Sequence, residues 1–250
     1  MSLILFSIDD QGIATLTLDR PEARNALNFA AIDEFAQRVR EMAAMPDLRA
    51  LIITGAGKAF CAGGDLKEHQ AHGDRAGGTR VSSSMGDALN EMEQLPLITI
   101  AAINGPARGG GAELAMACDL RLIAEKASLA FVHASLGLIP GWGGGERLQR
   151  IVGTSRALEY ISTARVISPQ EALADGLVNA VLPGDLLMAE AGKLAAKIAE
   201  NSWDSIAAIK RLFREYQRLS PLESRIRERE TFIDLWDRDQ RREAFKKFSD

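Results

Sequence analysis

Residues 108–119 read RGGGAELAMACD, in which three consecutive glycines precede a run of small and apolar residues that contains one glutamate. The apolar run LITIAAING (97–105) precedes them and is typical of a short buried strand, so the order is strand, small-residue loop, helix start. The same order recurs in LIITGAGKAFCAGGDLKE (51–68). With further short strands and helices along the chain, this alternation predicts an α/β fold.

Glycines at the start of a helix can expose backbone N–H groups to a bound ligand. The first N–H groups of a helix have no intrahelical partner and stand at the positive end of the helix dipole, and a glycine has no Cβ to keep another group away from them. Two such N–H groups that converge on one point would form an oxyanion hole, which stabilises negative charge on a carbonyl oxygen. Tight packing of strand against helix is the alternative use of the same glycines.

Neither glycine loop fits the nucleotide-binding patterns. A Walker A loop needs Ser or Thr after its Gly-Lys pair, but Ala59 follows Lys58 here, and Ile52 stands where the first glycine should be. The dinucleotide pattern G-x-G-x-x-G ends on Phe60 in the first loop and on Leu114 in the second. Binding of a nucleotide phosphate by either route is therefore not expected.

Composition narrows the function classes. The chain has 250 residues, 46% hydrophobic and 26% charged, which is typical of a globular protein with a sizeable core. Its formal net charge of −4 argues against non-specific binding to nucleic acid or to an anionic membrane. No apolar run approaches the ~20 residues of a membrane span, and no signal peptide is visible, so we expect a cytoplasmic protein. Cys61 and Cys118 lack zinc-like spacing, and we expect buried reduced thiols and no metal site.

Local signals predict several element boundaries. Asn28 is the expected N-cap of the first helix, and Ser168 followed by Pro169 is the expected start of a later one. The polar, glycine-rich segment 69–84 is typical of a mobile surface loop. We assign no role to the two histidines of that segment, His69 and His72.

The last part of the chain is predicted to be helical from residue 186 onward. We expect residues 1–195 to form the α/β core and residues 196–250 to form a helical oligomerisation region. The helical region carries more large apolar side chains than a solvent-facing appendage needs. They are Ile206, Ile209, Leu212, Phe213, Phe232, Leu235, Trp236 and Phe245.

Five ordered segments make the sequence resemble one known family over nearly its whole length. They are RPEARNAL (20–27), AFCAGGDLKE (59–68), INGPARGGGAELAMACDLRL (103–122), LGLIPGWGGGERLQRIVG (136–153) and ISPQEALADGLVNAVLP (167–183). The sequence is similar to the crotonase superfamily of enoyl-CoA hydratases and isomerases. The resemblance implies a spiral of repeated ββα units with a C-terminal helical region that forms trimers or dimers of trimers. It also implies an acyl-CoA thioester as substrate, with coenzyme A as part of the substrate and no separate cofactor.

In this family two backbone N–H groups hold the thioester oxygen and stabilise an enolate-like intermediate. The matching amides here belong to Gly64, before the aspartate of AGGD, and to Gly110, the middle glycine of GGG. The resemblance places the first loop and Lys67 along the CoA adenine and phosphates, and Trp142 where it would narrow the acyl pocket to a short or branched chain. The implied substrate-binding residues are Ala62, Gly63, Asp65, Leu66, Lys67, Gly109, Pro140, Gly141 and Trp142.

Glu113 and His133 are the implied catalytic side chains. Glu113 matches the general acid/base of the family's hydratases, although a carboxylate in the first turn of a helix can also be a plain partner of the helix dipole. Hydration in this family normally uses a second carboxylate to hold the water, and His133 stands at its position. A histidine can carry a proton near neutral pH, and a structural histidine at the end of a strand is the alternative.

The segments FVH (131–133) and GLIPGWGG (137–144) resemble the ethylmalonyl-CoA decarboxylase branch of the superfamily more than its two-glutamate hydratases. We therefore expect a CoA-thioester lyase. Hydration of a 2-enoyl-CoA ranks first, decarboxylation of ethylmalonyl- or methylmalonyl-CoA second, and double-bond isomerisation third. An acyl-CoA-binding or scaffold homologue with weak catalysis is the alternative from a different class, because the second carboxylate is missing.

Overall fold

A computed structural model describes residues 2–246, without the side chains of residues 240, 243, 244 and 246. Its strands, in chain order, are β1 (Ile4–Ile8), β2 (Ile13–Leu18), β3 (Ala50–Gly55), β4 (Ile98–Ile103), β5 (Pro106–Arg108), β6 (Leu120–Ala124), β7 (Ser128–Ala130) and β8 (Ala180–Leu182). Within the described residues, one sheet has the order β1-β2-β3-β4-β6-β8, and β5 pairs with β7 in a second sheet. The β1–β2 pair is antiparallel and the other pairs are parallel. β3 is buried along its whole length, which explains its continuous apolar run.

The helices surround this sheet. They are α1 (Phe29–Ala43), α2 (Leu66–Ala71), α3 (Arg75–Gln94), α4 (Gly110–Ala117), α5 (Gly144–Thr163), α6 (Pro169–Ala174), α7 (Leu187–Ala199), α8 (Trp203–Glu215), α9 (Pro221–Trp236) and α10 (Asp239–Lys246). Both predicted caps are confirmed, because the Asn28 side chain accepts the Ala31 N–H at 2.9 Å and the Ser168 hydroxyl accepts the Glu171 N–H at 3.2 Å. The predicted α/β fold class is also confirmed.

The prediction of a mobile loop over 69–84 is wrong. The segment contains the end of α2 and the first half of α3, and Asp74 caps α3 by accepting the Gly77 N–H at 2.8 Å. Gly77 lies so close to the carbonyl of His72 that no Cβ would fit. The second half of α3 packs on α1 and buries Met85, Ala88, Leu89 and Met92 completely. The loop prediction rested on the polar first turns of α3, whereas most of its buried residues lie further along the chain.

The C-terminal helices divide into two groups. α7 packs on the parallel strands of the large sheet, so the predicted boundary at 195/196 lies within a helix, and the two-domain division stays a prediction. α8 and α9 pack on each other and leave much of the predicted apolar stripe uncovered, although Leu212 is buried. The exposed members are Ile209, Phe213, Phe232, Trp236 and Phe245. Residues 247–250 of the predicted helical region lie outside the described residues.

Two further predictions concern single residues and membranes. Cys61 and Cys118 are free and buried, as predicted, and burial raises the pKa of each thiol to about 12. Among residues 2–246, no helix has the length and apolar character needed to cross a membrane.

Candidate active site

The two glycine loops, which follow β3 and β5, lie side by side. Their backbones are joined because the Cys61 N–H donates to the Pro106 carbonyl at 3.3 Å and the Arg108 N–H donates to the Cys61 carbonyl at 3.0 Å. A Cβ on Gly63 would lie 2.8 Å from the Arg108 carbonyl oxygen and 3.0 Å from the Gly110 nitrogen. Gly63 also has a φ of 93°, so glycine is required here both by space and by backbone conformation.

Among the described residues, the amides of Gly64 and Gly110 have no acceptor. Gly64 forms an isolated parallel bridge with Leu27, in which the Leu27 N–H donates to Gly63 at 2.8 Å and the Asp65 N–H donates to Leu27 at 2.9 Å. The N–H of the central residue in such a bridge points away from the partner strand. Within residues 2–246, neither the Gly64 amide nor the Gly110 amide donates to another protein group. Both N–H donors are therefore unused within this part of the chain.

A ring covers the Cα of each of these glycines. A Cβ on Gly64 would collide with the imidazole of His69, and a Cβ on Gly110 would collide with the indole of Trp142. The indole is itself fixed, because its Nε1 donates to the Val81 carbonyl at 2.9 Å. The two glycines are thus needed for close packing of the rings as well as for access to their amides.

Glu113 is 1% exposed and accepts three hydrogen bonds. Its Oε1 accepts the N–H groups of Trp142 and Gly144 at 2.8 and 2.9 Å, and its Oε2 lies 2.9 Å from Nε2 of His133. An ionised carboxylate only accepts hydrogen bonds, so Nε2 of His133 carries a proton in this contact. His133 is also buried, and its Nδ1 has no partner among the described residues.

Arg147 holds the turn that supplies the two amides to the buried carboxylate. Its guanidinium donates to the Trp142 carbonyl at 2.5 Å, to Oδ1 of Asn90 at 2.8 Å and to Oε2 of Glu93 at 2.7 Å. The turn itself contains Gly143 with a φ of 84°. Sequence reasoning missed Arg147. Its side-chain partners, Asn90 and Glu93, come from α3, which is distant in the sequence, so no local pattern indicated its role.

The side chains of the first loop hold α2 in place. The Asp65 carboxylate caps α2 through the Lys67 and Glu68 N–H groups and pairs with Arg20 at 3.1 Å. Burial opposes ionisation of Asp65, but its hydrogen bonds, chiefly from Arg20, outweigh burial and lower the pKa of this carboxyl. Leu66 and Lys67 are exposed, so the lysine ammonium is free to reach an anionic group in solvent.

The remaining predicted binding residues flank the same site. Gly109 lies beside His133, whose Nε2 would be 3.7 Å from a Cβ at that position. Gly141 is exposed, and its carbonyl accepts the Ser82 hydroxyl at 2.8 Å. Ala62 and Pro140 are half-buried. The structure therefore brings the second glycine loop, Glu113, His133 and Trp142 together, with the first loop alongside.

His69 is the site residue that the sequence left without a role. It follows Asp65 by one helical turn in α2, a spacing that directs its side chain back over the loop. That spacing was the available signal, and it was missed because the segment was interpreted as a loop. The half-buried ring lies 5.9 Å from the ring of Phe29, measured between centroids.

Comparison with known proteins identifies the family. The sequence profile of the enoyl-CoA hydratase/isomerase family matches residues 9–250. Ethylmalonyl-CoA decarboxylase of Gallus gallus is 37% identical over 237 residues, or 93% of this chain and 79% of that protein. YngF of Bacillus subtilis, named provisionally as an enoyl-CoA hydratase/isomerase, is 42% identical over 199 residues, or 79% of this chain and 76% of that protein.

A solved structure agrees with these sequence matches. The crystal structure of an enoyl-CoA hydratase from Bacillus anthracis superposes with a TM-score of 0.95 at 36% identity, covering 99% of this chain and 96% of that one. The chain therefore belongs to the enoyl-CoA hydratase/isomerase family of the crotonase superfamily, whose enzymes act on CoA thioesters.

Proposed function

We propose that this protein decarboxylates a malonyl-type CoA thioester whose carbonyl oxygen is held by the amides of Gly64 and Gly110. In the proposed step the bond between the α-carbon and its carboxylate breaks, CO2 leaves, and the electron pair moves into the thioester to form an enolate. The two amides stabilise the oxyanion, assisted by the N-terminal end of α4. The absence of a protein acceptor for either amide within residues 2–246 supports this assignment.

The direct contact between Glu113 and His133 favours decarboxylation over hydration. Their Oε2 and Nε2 atoms are 2.9 Å apart. A water molecule held between two such groups would keep them about 5 Å apart, because each hydrogen bond spans about 2.8 Å. The closed pair leaves no room for an attacking water between its members. This reverses the order expected from the sequence, in which hydration ranked first.

The direct contact between Glu113 and His133 also suits a substrate that carries a carboxylate on its α-carbon. Glu113 keeps His133 in one orientation, and in this proposal Nδ1 of His133 is left for the α-carboxylate of the substrate. An imidazole protonated on both nitrogens donates to Glu113 with one and to the substrate with the other, while Glu113 balances its charge. An enoyl group offers no such partner. The expectation that Glu113 itself transfers a proton stays a prediction.

The size of the α-substituent follows from Trp142. The indole is 4% exposed, lies against Gly110 and is tied to Val81, so it has little freedom to make room. This supports a short or branched acyl chain such as those of methylmalonyl- and ethylmalonyl-CoA. The name of the Gallus gallus relative agrees with that class.

Parallel turnover of methylmalonyl-CoA, ethylmalonyl-CoA and crotonyl-CoA by the purified protein tests the proposal. We expect CO2 release from an alkylmalonyl-CoA and much slower hydration of crotonyl-CoA. Hydration faster than decarboxylation would overturn the proposal. No turnover of any substrate, with acetoacetyl-CoA still bound, would indicate a binding or scaffold homologue instead. In H133E, hydration should rise and decarboxylation should fall.

We further propose that the protein assembles as a homotrimer or a dimer of trimers. The exposed apolar side chains of α8 and α9 support assembly, because large apolar patches of stable proteins are usually covered by a partner. Among them are Phe213, Phe232, Ile233 and Trp236. Light scattering of the purified protein should give the mass of a trimer or a hexamer, and a monomer would contradict the assignment.

A further inference from the structure

His69 packs directly on one of the two glycines with a free amide. Its Nδ1 and Nε2 lie 2.9 and 3.1 Å from the position that a Cβ on Gly64 would take. A carbonyl oxygen bound to the Gly64 amide would sit close to the edge of this ring. In the proposed binding mode the imidazole therefore lies beside the thioester group.

Neither ring nitrogen of His69 has a hydrogen-bond partner in the described part of the chain, and Nε2 is buried. Native proteins rarely leave a buried polar atom unpaired, and a catalytic role or an absent ligand is a common reason. The other histidines differ. Nε2 of His133 is bound to Glu113, and Nδ1 of the exposed His72 lies 3.0 Å from the Glu68 carbonyl.

An aromatic ring lies beside the imidazole on the side of α1. Phe29 lies against the imidazole, and the guanidinium of Arg80, from α3, stands 3.9 Å from the centre of the Phe29 ring on the way to solvent. This wall keeps the ring near Gly64 and limits its access to water. Such an environment favours the neutral form of an imidazole.

The carboxylates in and before α2 oppose this preference for the neutral imidazole. Burial has the largest influence on the pKa of His69 and lowers it. The carboxylates of Glu68 and Asp65 raise this pKa, and His72 lowers it, so that the pKa lies below its ordinary value. The free enzyme therefore holds a mostly neutral imidazole near pH 7, which is the form that accepts a proton. A substrate carboxylate in the pocket would favour the protonated form, which is the form that donates one.

We propose that His69 is a catalytic residue that exchanges a proton with the α-carbon of the thioester. The inference rests on the amide pair of the proposed function but not on the identity of the leaving group. After CO2 departs, a ring N–H gives its proton to the α-carbon, a C–H bond forms, the oxyanion becomes a carbonyl again, and water returns a proton to the ring. In the reverse direction the neutral ring removes an α-proton and the electron pair moves onto the thioester oxygen.

The Glu113–His133 pair is less suited to this step. The proton between its two members is held in a buried, charge-assisted hydrogen bond, and its transfer would break the contact that orients His133. His69 has no such bond to break. It also lies on α2, beside the other glycine loop, so in this proposal the two imidazoles act at different parts of one substrate.

Deuterium uptake at the α-carbon of butyryl-CoA in D2O tests the proposal, because it requires proton removal but no decarboxylation. Wild type should exchange. H69Q should exchange at least about 10²-fold more slowly while its thermal midpoint and its affinity for acetoacetyl-CoA stay unchanged. H72Q, the same substitution at the exposed histidine three residues further on, is the matched control and should exchange like wild type. Added imidazole should restore exchange in H69A.

The pH profile gives a second readout. The kcat/KM for exchange should rise with pH through the lowered pKa of His69, and this limb should be absent in H69Q. Exchange by H69Q at the wild-type rate would overturn the proposal, and so would a wild type that releases CO2 but does not exchange. If exchange depends on His69 but no alkylmalonyl-CoA loses CO2, the proposed function fails and the role of His69 stands.

Discussion

The two glycine loops present equivalent free amides, but the protein holds them in different ways. All eight residues of α4, which begins at Gly110, are buried. None of the six residues of α2, which follows Gly64, is buried. The Gly110 amide is therefore fixed by the core of the protein, whereas the Gly64 amide is fixed by a short backbone bridge to Leu27 and by the half-buried Arg20–Asp65 ion pair beside it.

The difference indicates separate roles for the two donors of the proposed oxyanion site. A donor in the core cannot shift without disturbing many neighbours, because protein interiors are close-packed. A donor beside an exposed helix is held by only a few side chains. In the proposed function it can therefore adjust to the CoA moiety of the substrate as the substrate enters. We expect substitutions in the second loop to cost both stability and activity, and substitutions in the first loop to cost mainly activity.

G110A should have the largest effect. The new Cβ meets the Trp142 ring, which is buried and bonded to Val81, so neither partner can move aside. We expect turnover to fall about 10²–10³-fold through displacement of the amide, and stability to fall by about 1–3 kcal/mol through overpacking. Steady-state kinetics and urea denaturation measure the two effects. Wild-type turnover in a folded G110A would remove the second amide from the mechanism.

The elements around the two glycine loops differ in how well the sequence predicts them. The strands, the caps at Asn28 and Ser168 and the glycine loops were predictable, because each depends on residues close together in the chain. The start of α3 was not, since the helix is held by a buried stripe beyond its polar first turns. The family resemblance placed Glu113 and His133 in one site.

Long-range contacts set the remaining details. The bond between Glu113 and His133 depends on how the short 3-10 helix Val132–Leu136 ends the strand, and on the turn fixed by Arg147. Arg147, on α5, is in turn held by Asn90 and Glu93 of α3, a pairing that no local pattern encodes. The ring of His69 over Gly64 likewise required α2 to be recognised as a helix. Sequence therefore predicted which residues form the site better than it predicted their bonds.

E113Q should have the next largest effect, because it leaves the shape of the second loop unchanged but removes the negative charge. The amide group of glutamine cannot accept hydrogen bonds from all three N–H donors that now face Glu113. We expect turnover to drop roughly 10²-fold with CoA-ester binding retained, and stability to fall by about 1–3 kcal/mol. E146Q is the matched control, since Glu146 is an exposed residue of α5. An undiminished rate in E113Q would refute any role of the carboxylate.

G64A should be milder for stability than G110A, and H69A should compensate for it. The new Cβ at Gly64 meets the His69 ring, which belongs to an exposed helix and can move. We expect a stability loss under about 1.5 kcal/mol, and a smaller loss in the double variant, where truncation of the ring vacates the space. A double-mutant cycle by urea denaturation measures the coupling. Equal stability losses in G64A and G110A would break the contrast between the two loops.

D65N should have the smallest effect, and its pH dependence should isolate the anchor of the first loop. Asparagine still caps α2, so the change removes mainly the charge that pairs with Arg20, and we expect a loss of about 1 kcal/mol at pH 7. The pKa of Asp65 is lower in the folded protein than its ordinary value, so the pairing contributes fully above about pH 4 and is lost as the pH falls through the folded value. The stability difference between wild type and D65N should therefore shrink on acidification, as followed by urea denaturation at several pH values. D10N, at an exposed aspartate between β1 and β2, should show no such difference. A gap between wild type and D65N that persists at low pH would mean that the Arg20 pair does not hold the loop.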